Sequence, residues 1–271
     1  MRAIILAGGQ GLRLHPYTKV LPKALIPLDD MPILQIILLQ LRKAGVTQIT
    51  LAVCYKAQQI IRYFGDGRWL DLDIEYTVEP KLFGTAGPLR LIESFTEPSL
   101  VINADILTTI DFADVYAAFH QSRAAAMIVL HKHTIPVPYG VVETDEHGYI
   151  QSIVEKPEYA CMINTGIYVI DPLVRTYLLS EGYEDMPDLL RTLLDRGHKV
   201  SSYIFCGDWI DIGTPEQFQR AQEMFRRNRE RYAPHIDRST LMDQGIEISR
   251  LGSESASRLS LYASKTTATL W

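Results

Sequence analysis

The feature that most constrains the fold is the opening stretch. The apolar run Ala3-Ile4-Ile5-Leu6-Ala7 stops at Gly8 and Gly9, with Gly11, Arg13 and Lys23 close behind. A short apolar run ended by glycines predicts a buried parallel strand opening into a tight loop. Glycine lets such a loop turn sharply and bring successive backbone N–H groups up to an anion. Arg13 adds a planar fork and Lys23 a mobile point charge, both suited to phosphate oxygens.

Two phosphate loops can be excluded. A Walker loop needs Gly-Lys followed by Ser or Thr, which does not occur, and a dinucleotide fingerprint needs glycine where Leu14 stands. The formal charge of −5 argues against a nucleic-acid partner, so phosphate binding has to be local. Cys54, Cys161 and Cys206 have no metal-ligand spacing, which favours a reducing, cytoplasmic setting over a disulfide framework. No apolar run reaches the roughly 20 residues of a membrane span.

Strands are predicted at 3–7, 49–54, 74–78, 100–103, 126–131, 163–170 and 200–205, and helices at 33–41, 57–64, 89–95, 112–123, 186–196 and 214–231. Their alternation predicts an α/β, Rossmann-like, mainly parallel sheet flanked by helices, with ligands at the carboxyl ends of the strands. Residues 140–143 and 148–154 read as a hairpin within an inserted β-rich region. The expected division is a domain over 1–234, with a first half to about residue 125 and a second from 126, and a short tail over 235–271. His131 and His133 read as a strand-end polar cluster, the arginines from Arg226 to Arg231 as a solvated helix face, and Asp29 and Asp30 as turn residues.

Across the run from Gly8-Gly9-Gln10-Gly11 through Arg13-Leu14-His15-Pro16 to Pro22-Lys23, the chain resembles the sugar-1-phosphate nucleotidyltransferases. The resemblance spans roughly residues 1–225 and implies a nucleotide-binding first half, to about residue 125, and a sugar-binding second half from 126 to 234. It implies transfer of a nucleotidyl group from an NTP to a sugar 1-phosphate, with Arg13, Lys23, Asp105 and Asp211 as catalytic residues. Asp105, at the end of Leu100-Val101-Ile102-Asn103-Ala104-Asp105, matches the family's metal-binding Asp, although Ala104 stands where the family usually has Gly. Alone, a strand-end Asp reads as a turn or cap. Asp211 in Trp209-Ile210-Asp211 resembles the second metal ligand, and hard oxygen ligands suit Mg²⁺ shared with substrate phosphates.

The resemblance further implies a nucleotide site at Ala7, Gly8, Gly9, Gly11, Arg13, Glu79, Gly84, Thr85 and Asp105. It also implies a sugar-phosphate site at Tyr139, Gly140, Glu155, Lys156, Asn164 and Trp209. Glu79 stands where uridylyl and thymidylyl relatives usually carry Gln. A carboxylate offers only acceptors, which match the N1–H and N2–H donors of guanine, so GTP is the favoured donor. Thymidylyl or uridylyl transfer is the alternative, as is a Glu79 that faces solvent. A non-catalytic nucleotide-sugar-sensing subunit would be expected to lack one of the four charged residues named above, and all are present. NTP and sugar 1-phosphate are the expected partners, and a homo-oligomer is left open.

Overall fold

Seven of the apolar runs assemble into one sheet. The computed structural model describes residues 1–233. From edge to edge the strands are Val200–Phe205, Ala126–Pro136, Glu158–Ile170, Ser99–Asn103, Arg2–Ala7, Gln48–Val53 and Asp73–Val78. All run parallel except Glu158–Ile170, which is antiparallel to both its neighbours. Strands from both sides of residue 126 therefore share a single sheet. The register pairs Ala7 with Val53, Val53 with Val78 and Leu6 with Asn103, so these strands end level. Gly8, Glu79 and Ala104 emerge together at that end.

Alternation along the first strand feeds two apolar layers. Ala3 and Ile5 point to one face, where helices Ile33–Lys43 and Phe112–Ser122 pack, while Ile4 points to the other with Val101, Leu189 and Leu193. Ile33–Lys43 is buried on nearly every side, as its unbroken apolar run predicts. Asp111 caps Phe112–Ser122 by accepting from the Ala113 N–H, and Thr214 and Gln217 form a capping box on Pro215–Arg227.

Some boundaries differ from expectation. The helix predicted at 89–95 is only a 3₁₀ stretch, Gly87–Leu91, because Pro88 removes a donor and the following N–H groups bond three residues back. The strands expected at 126–131 and 163–170 are extended to Ala126–Pro136 and Glu158–Ile170, and their outer halves pair with each other. Those outer residues are mostly exposed, so no apolar pattern marks them. Beyond them stands the hairpin Val141–Thr144 and Ile150–Val154, with Val137 N donating to Pro157 O (3.0 Å) where the chain leaves and returns.

The closing helix divides at Asn228 into Pro215–Arg227 and Arg229–Tyr232. Its arginines are not simply solvated, since Arg226 pairs with Asp29 and Arg229 with Asp29 and Asp30. Such exposed pairs contribute at most about 1 kcal/mol each. The tail expected at 235–271 lies outside the described residues. Among the described residues, no helix is long and apolar enough to cross a membrane.

Candidate active site

A cavity of about 220 Å³ opens at the carboxyl ends of the parallel strands. Ala7, Gly8 and Gly9 line it after the first strand, Glu79 after Asp73–Val78, and Asn103, Ala104 and Asp105 after Ser99–Asn103. Lys23, Gly84 and Thr85 complete much of the wall. Gly8 is required by close approach, because a Cβ there would stand 2.7 Å from Glu79 Oε1. Gly11 lies outside the wall and turns its carbonyl to Thr18 Oγ1 at 2.9 Å.

One end of the cavity is charged. Strand Trp209–Asp211 pairs antiparallel with Ile106–Thr108, placing Asp211 opposite Ile106, and Ile212 N donates to Asp105 O at 2.8 Å. That short ladder brings two carboxylates from distant parts of the chain side by side. Lys23 Nζ bonds Asp105 Oδ2 and lies 4.0 Å from Asp211 Oδ1. Burial, then the charge of Asp105, pushes the Asp211 carboxyl above its ordinary range, while Lys23 and Arg13 pull it back. Lys23 thus touches one carboxylate and approaches the other, while Arg13 acts on Asp211 from beyond ion-pair distance; of the four, Lys23 and Asp105 line the cavity itself. Two carboxylates held together against their repulsion form a hard-oxygen donor set fit for a divalent cation. Among the described residues no group of three or more His, Cys, Asp or Glu could hold a metal alone, so further ligands have to come from elsewhere.

The other end is mostly apolar with one acceptor. Glu79 is 5% exposed, which excludes the solvent-facing alternative. Its Oε2 accepts from Phe83 N at 3.1 Å, and its Oε1 has no hydrogen-bond partner among the described residues. Burial raises its pKa above the ordinary 4.5, opposed by the Phe83 N–H and the charge of Arg90. Between 4.5 and that raised value the folded chain keeps a proton that the unfolded chain has released, so stability falls as pH rises through the window. A buried carboxylate that destabilises the ligand-free protein is expected to serve a ligand.

Thr85 is also in the wall, but its hydroxyl is engaged. It donates to Asp185 Oδ1 at 3.2 Å and accepts from Met186 N at 2.8 Å, while Thr85 N donates to the same Asp185 oxygen at 2.9 Å. Asp185 precedes helix Met186–Asp195 and escaped the sequence reading, although an acidic residue just before Met-Pro at a helix start was a usable signal. Leu82, within the stretch from Glu79 to Pro88 that resembles the family's base-binding loop, lines the cavity too, as does Tyr183, which no motif marks.

The residues expected at the sugar site fall into two groups. Asn164, Thr165 and Gly166 lie where the register of Glu158–Ile170 shifts against Ala126–Pro136. Gly166, at φ +74, has the Asn103 side chain where a Cβ would be, so this bulge abuts a wall residue of the cavity. Trp209 Nε1 donates to Thr165 O at 3.0 Å, and Asn164 is tied to Tyr168 OH and to Gly166 N. Tyr139, Gly140, Glu155 and Lys156 sit together at the base of the hairpin, where Lys156 N donates to Tyr139 O at 3.2 Å, and none of them lines the cavity. His131 is no mere strand-end polar group: its Nε2 is 3.0 Å from Gly207 O and its ring lies 5.9 Å from that of Trp209.

The sequence model of the nucleotidyl transferase family matches residues 2–228. The chain belongs to this family. It is 32% identical over 250 residues to the UTP–glucose-1-phosphate uridylyltransferase of Synechocystis sp., covering 84% of this chain and 64% of the relative. It is 33% identical over 227 residues to the mannose-1-phosphate guanylyltransferase of Mycobacterium tuberculosis, covering 80% and 62%. The chain thus spans a little under two thirds of the length of these curated relatives. The solved structure of HddC from Yersinia pseudotuberculosis in complex with GMP-PN has a TM-score of 0.63 at 26% identity, over 83% of this chain and 99% of that one. These nucleotidyl transferase relatives carry both uridylyl and guanylyl names, so the family alone does not decide the base.

Proposed function

We propose that the chain transfers a nucleotidyl group from an NTP to a sugar 1-phosphate and releases pyrophosphate. The observation that carries this reading is the cluster of Lys23, Asp105 and Asp211, with the charge of Arg13 beside it, next to a cavity whose wall also presents the Oε1 of Glu79. A phosphate oxygen of the sugar 1-phosphate forms a bond to the α-phosphorus in line with the bond to the bridging oxygen that breaks. The leaving pyrophosphate carries that electron pair away. Lys23 and Arg13 meet the oxygens on which charge accumulates, and the backbone N–H groups after Ala7 orient the triphosphate. Asp105 and Asp211 would hold a divalent cation, which we take to be Mg²⁺; it would neutralise phosphate charge. Asn164, Trp209 and the hairpin residues Tyr139, Gly140, Glu155 and Lys156 would serve the sugar phosphate. The unpaired Cys54, Cys161 and Cys206 support a reducing, cytoplasmic setting.

The test is pyrophosphate release across a panel of GTP, UTP, dTTP and ATP against several sugar 1-phosphates, with and without Mg²⁺. No release with any pair would end this reading. GTP is the expected donor, because the open oxygen of Glu79 can only accept. Glu79→Gln is expected to shift preference from GTP towards UTP or dTTP by roughly ten- to a hundredfold, the cost of leaving buried polar groups unpaired. The same variant should raise Tm at pH 8, the gain shrinking as pH falls towards 4.5. An unchanged ranking of NTPs would make Glu79 a bystander to base choice.

A further inference from the structure

We propose that Tyr183 is a substrate-contacting specificity residue whose ring forms the surface on which the nucleobase lies. This rests on the nucleotidyl-transfer reading and extends it to a segment, 179–185, that contains none of the motifs recognised in the sequence. Tyr183 lines the cavity and is 63% exposed, with its hydroxyl towards the Asp185 carboxylate and its ring open to solvent. Its backbone, by contrast, is fixed on both sides. Arg90 donates to Leu179 O (3.2 Å) and Gly182 O (2.8 Å). Glu184, itself 4% exposed, accepts from Leu179 N at 2.9 Å through Oε2. Its N donates to Phe83 O, and its O accepts from the N–H groups of Ala86 and Gly87. Asp185 holds Thr85. The segment is thereby stitched to the loop that follows Glu79.

A large aromatic ring left exposed on a fixed backbone at a cavity mouth has little ordering cost to meet when a ligand covers it. Leu82 and Pro88 add apolar surface to the same wall, and Glu79 supplies an open acceptor. Apolar faces beside an edge-reading acceptor match a purine or pyrimidine, whereas the triphosphate belongs at the Lys23 and Asp105 end. Aromatic–base stacking is worth about 1–3 kcal/mol per base on alanine substitution.

The experiment is calorimetric titration of wild type, Tyr183→Phe and Tyr183→Ala with GTP, UTP, dTTP and inorganic tripolyphosphate, without sugar phosphate. Tyr183→Ala is expected to weaken binding of the preferred NTP by roughly five- to a hundredfold. Tyr183→Phe should retain it, and tripolyphosphate should bind all three proteins alike. Equal NTP affinity in wild type and Tyr183→Ala, or a parallel loss of tripolyphosphate, would overturn the assignment of Tyr183. A wild-type protein that binds tripolyphosphate but shows no preference for any NTP over it would overturn it too. Absence of all binding to wild type would instead remove the nucleotidyl-transfer reading on which it stands.

Discussion

Asp105→Asn and Asp211→Asn are each expected to lower turnover by about a hundred- to a thousandfold, the usual loss when one preorganised electrostatic contact to a transition state is removed. Both changes are nearly isosteric, and the backbone bond from Ile212 N to Asp105 O does not depend on the carboxylate. The fold should therefore persist. Asp211 already sits above its ordinary pKa because of burial and the neighbouring Asp105. Neutralising it relieves repulsion, so Asp211→Asn should melt no lower than wild type at neutral pH. Pyrophosphate release at saturating Mg²⁺, with Mn²⁺ binding followed by electron paramagnetic resonance, separates lost catalysis from lost metal. Normal rates in either variant would remove the paired-carboxylate assignment.

Lys23→Ala and Arg13→Ala are expected to reduce kcat by a larger factor than they raise KM, with kcat about a hundred- to a thousandfold lower. The charge these residues meet is greatest during transfer, so their loss weighs more on the transition state than on the bound substrate. Their effects on stability should differ. Lys23 is 11% exposed and bonded to Asp105, so its removal leaves two adjacent carboxylates short of a cation. Lys23→Ala should lower Tm at neutral pH and recover part of the loss as pH falls, because Asp211, its pKa raised further, takes up a proton in the folded state. Arg13 is exposed and should show no comparable loss. If only KM moves in both variants, these residues bind substrate without assisting transfer.

The parallel strands and the glycine loop were legible because burial on both faces leaves a continuous apolar run, as in Ala3-Ile4-Ile5-Leu6-Ala7, and a loop that approaches a ligand leaves glycines. Asp105 was legible from its place just after such a run. What brings Asp211 to it was not, because three-residue strands such as Trp209–Asp211 carry no periodicity. The outer halves of Ala126–Pro136 and Glu158–Ile170 were missed because backbone pairing alone defines them where side chains face water. Tyr183 and Glu184 were invisible for another reason. Their segment is placed by contacts with a loop about a hundred residues earlier, made largely by the main chain, and main-chain bonds leave little trace in side-chain identity.

The ladder between Ile106–Thr108 and Trp209–Asp211 is separate from the seven-stranded sheet. Its few pairs would be easily parted on their own, but Ile106, Leu107, Ile210 and Ile212 are buried in the main apolar core, so the ladder opens only where that core opens. The two carboxylates are therefore expected to stay together until the core gives way, with activity and far-UV circular dichroism lost over the same range of heat or urea.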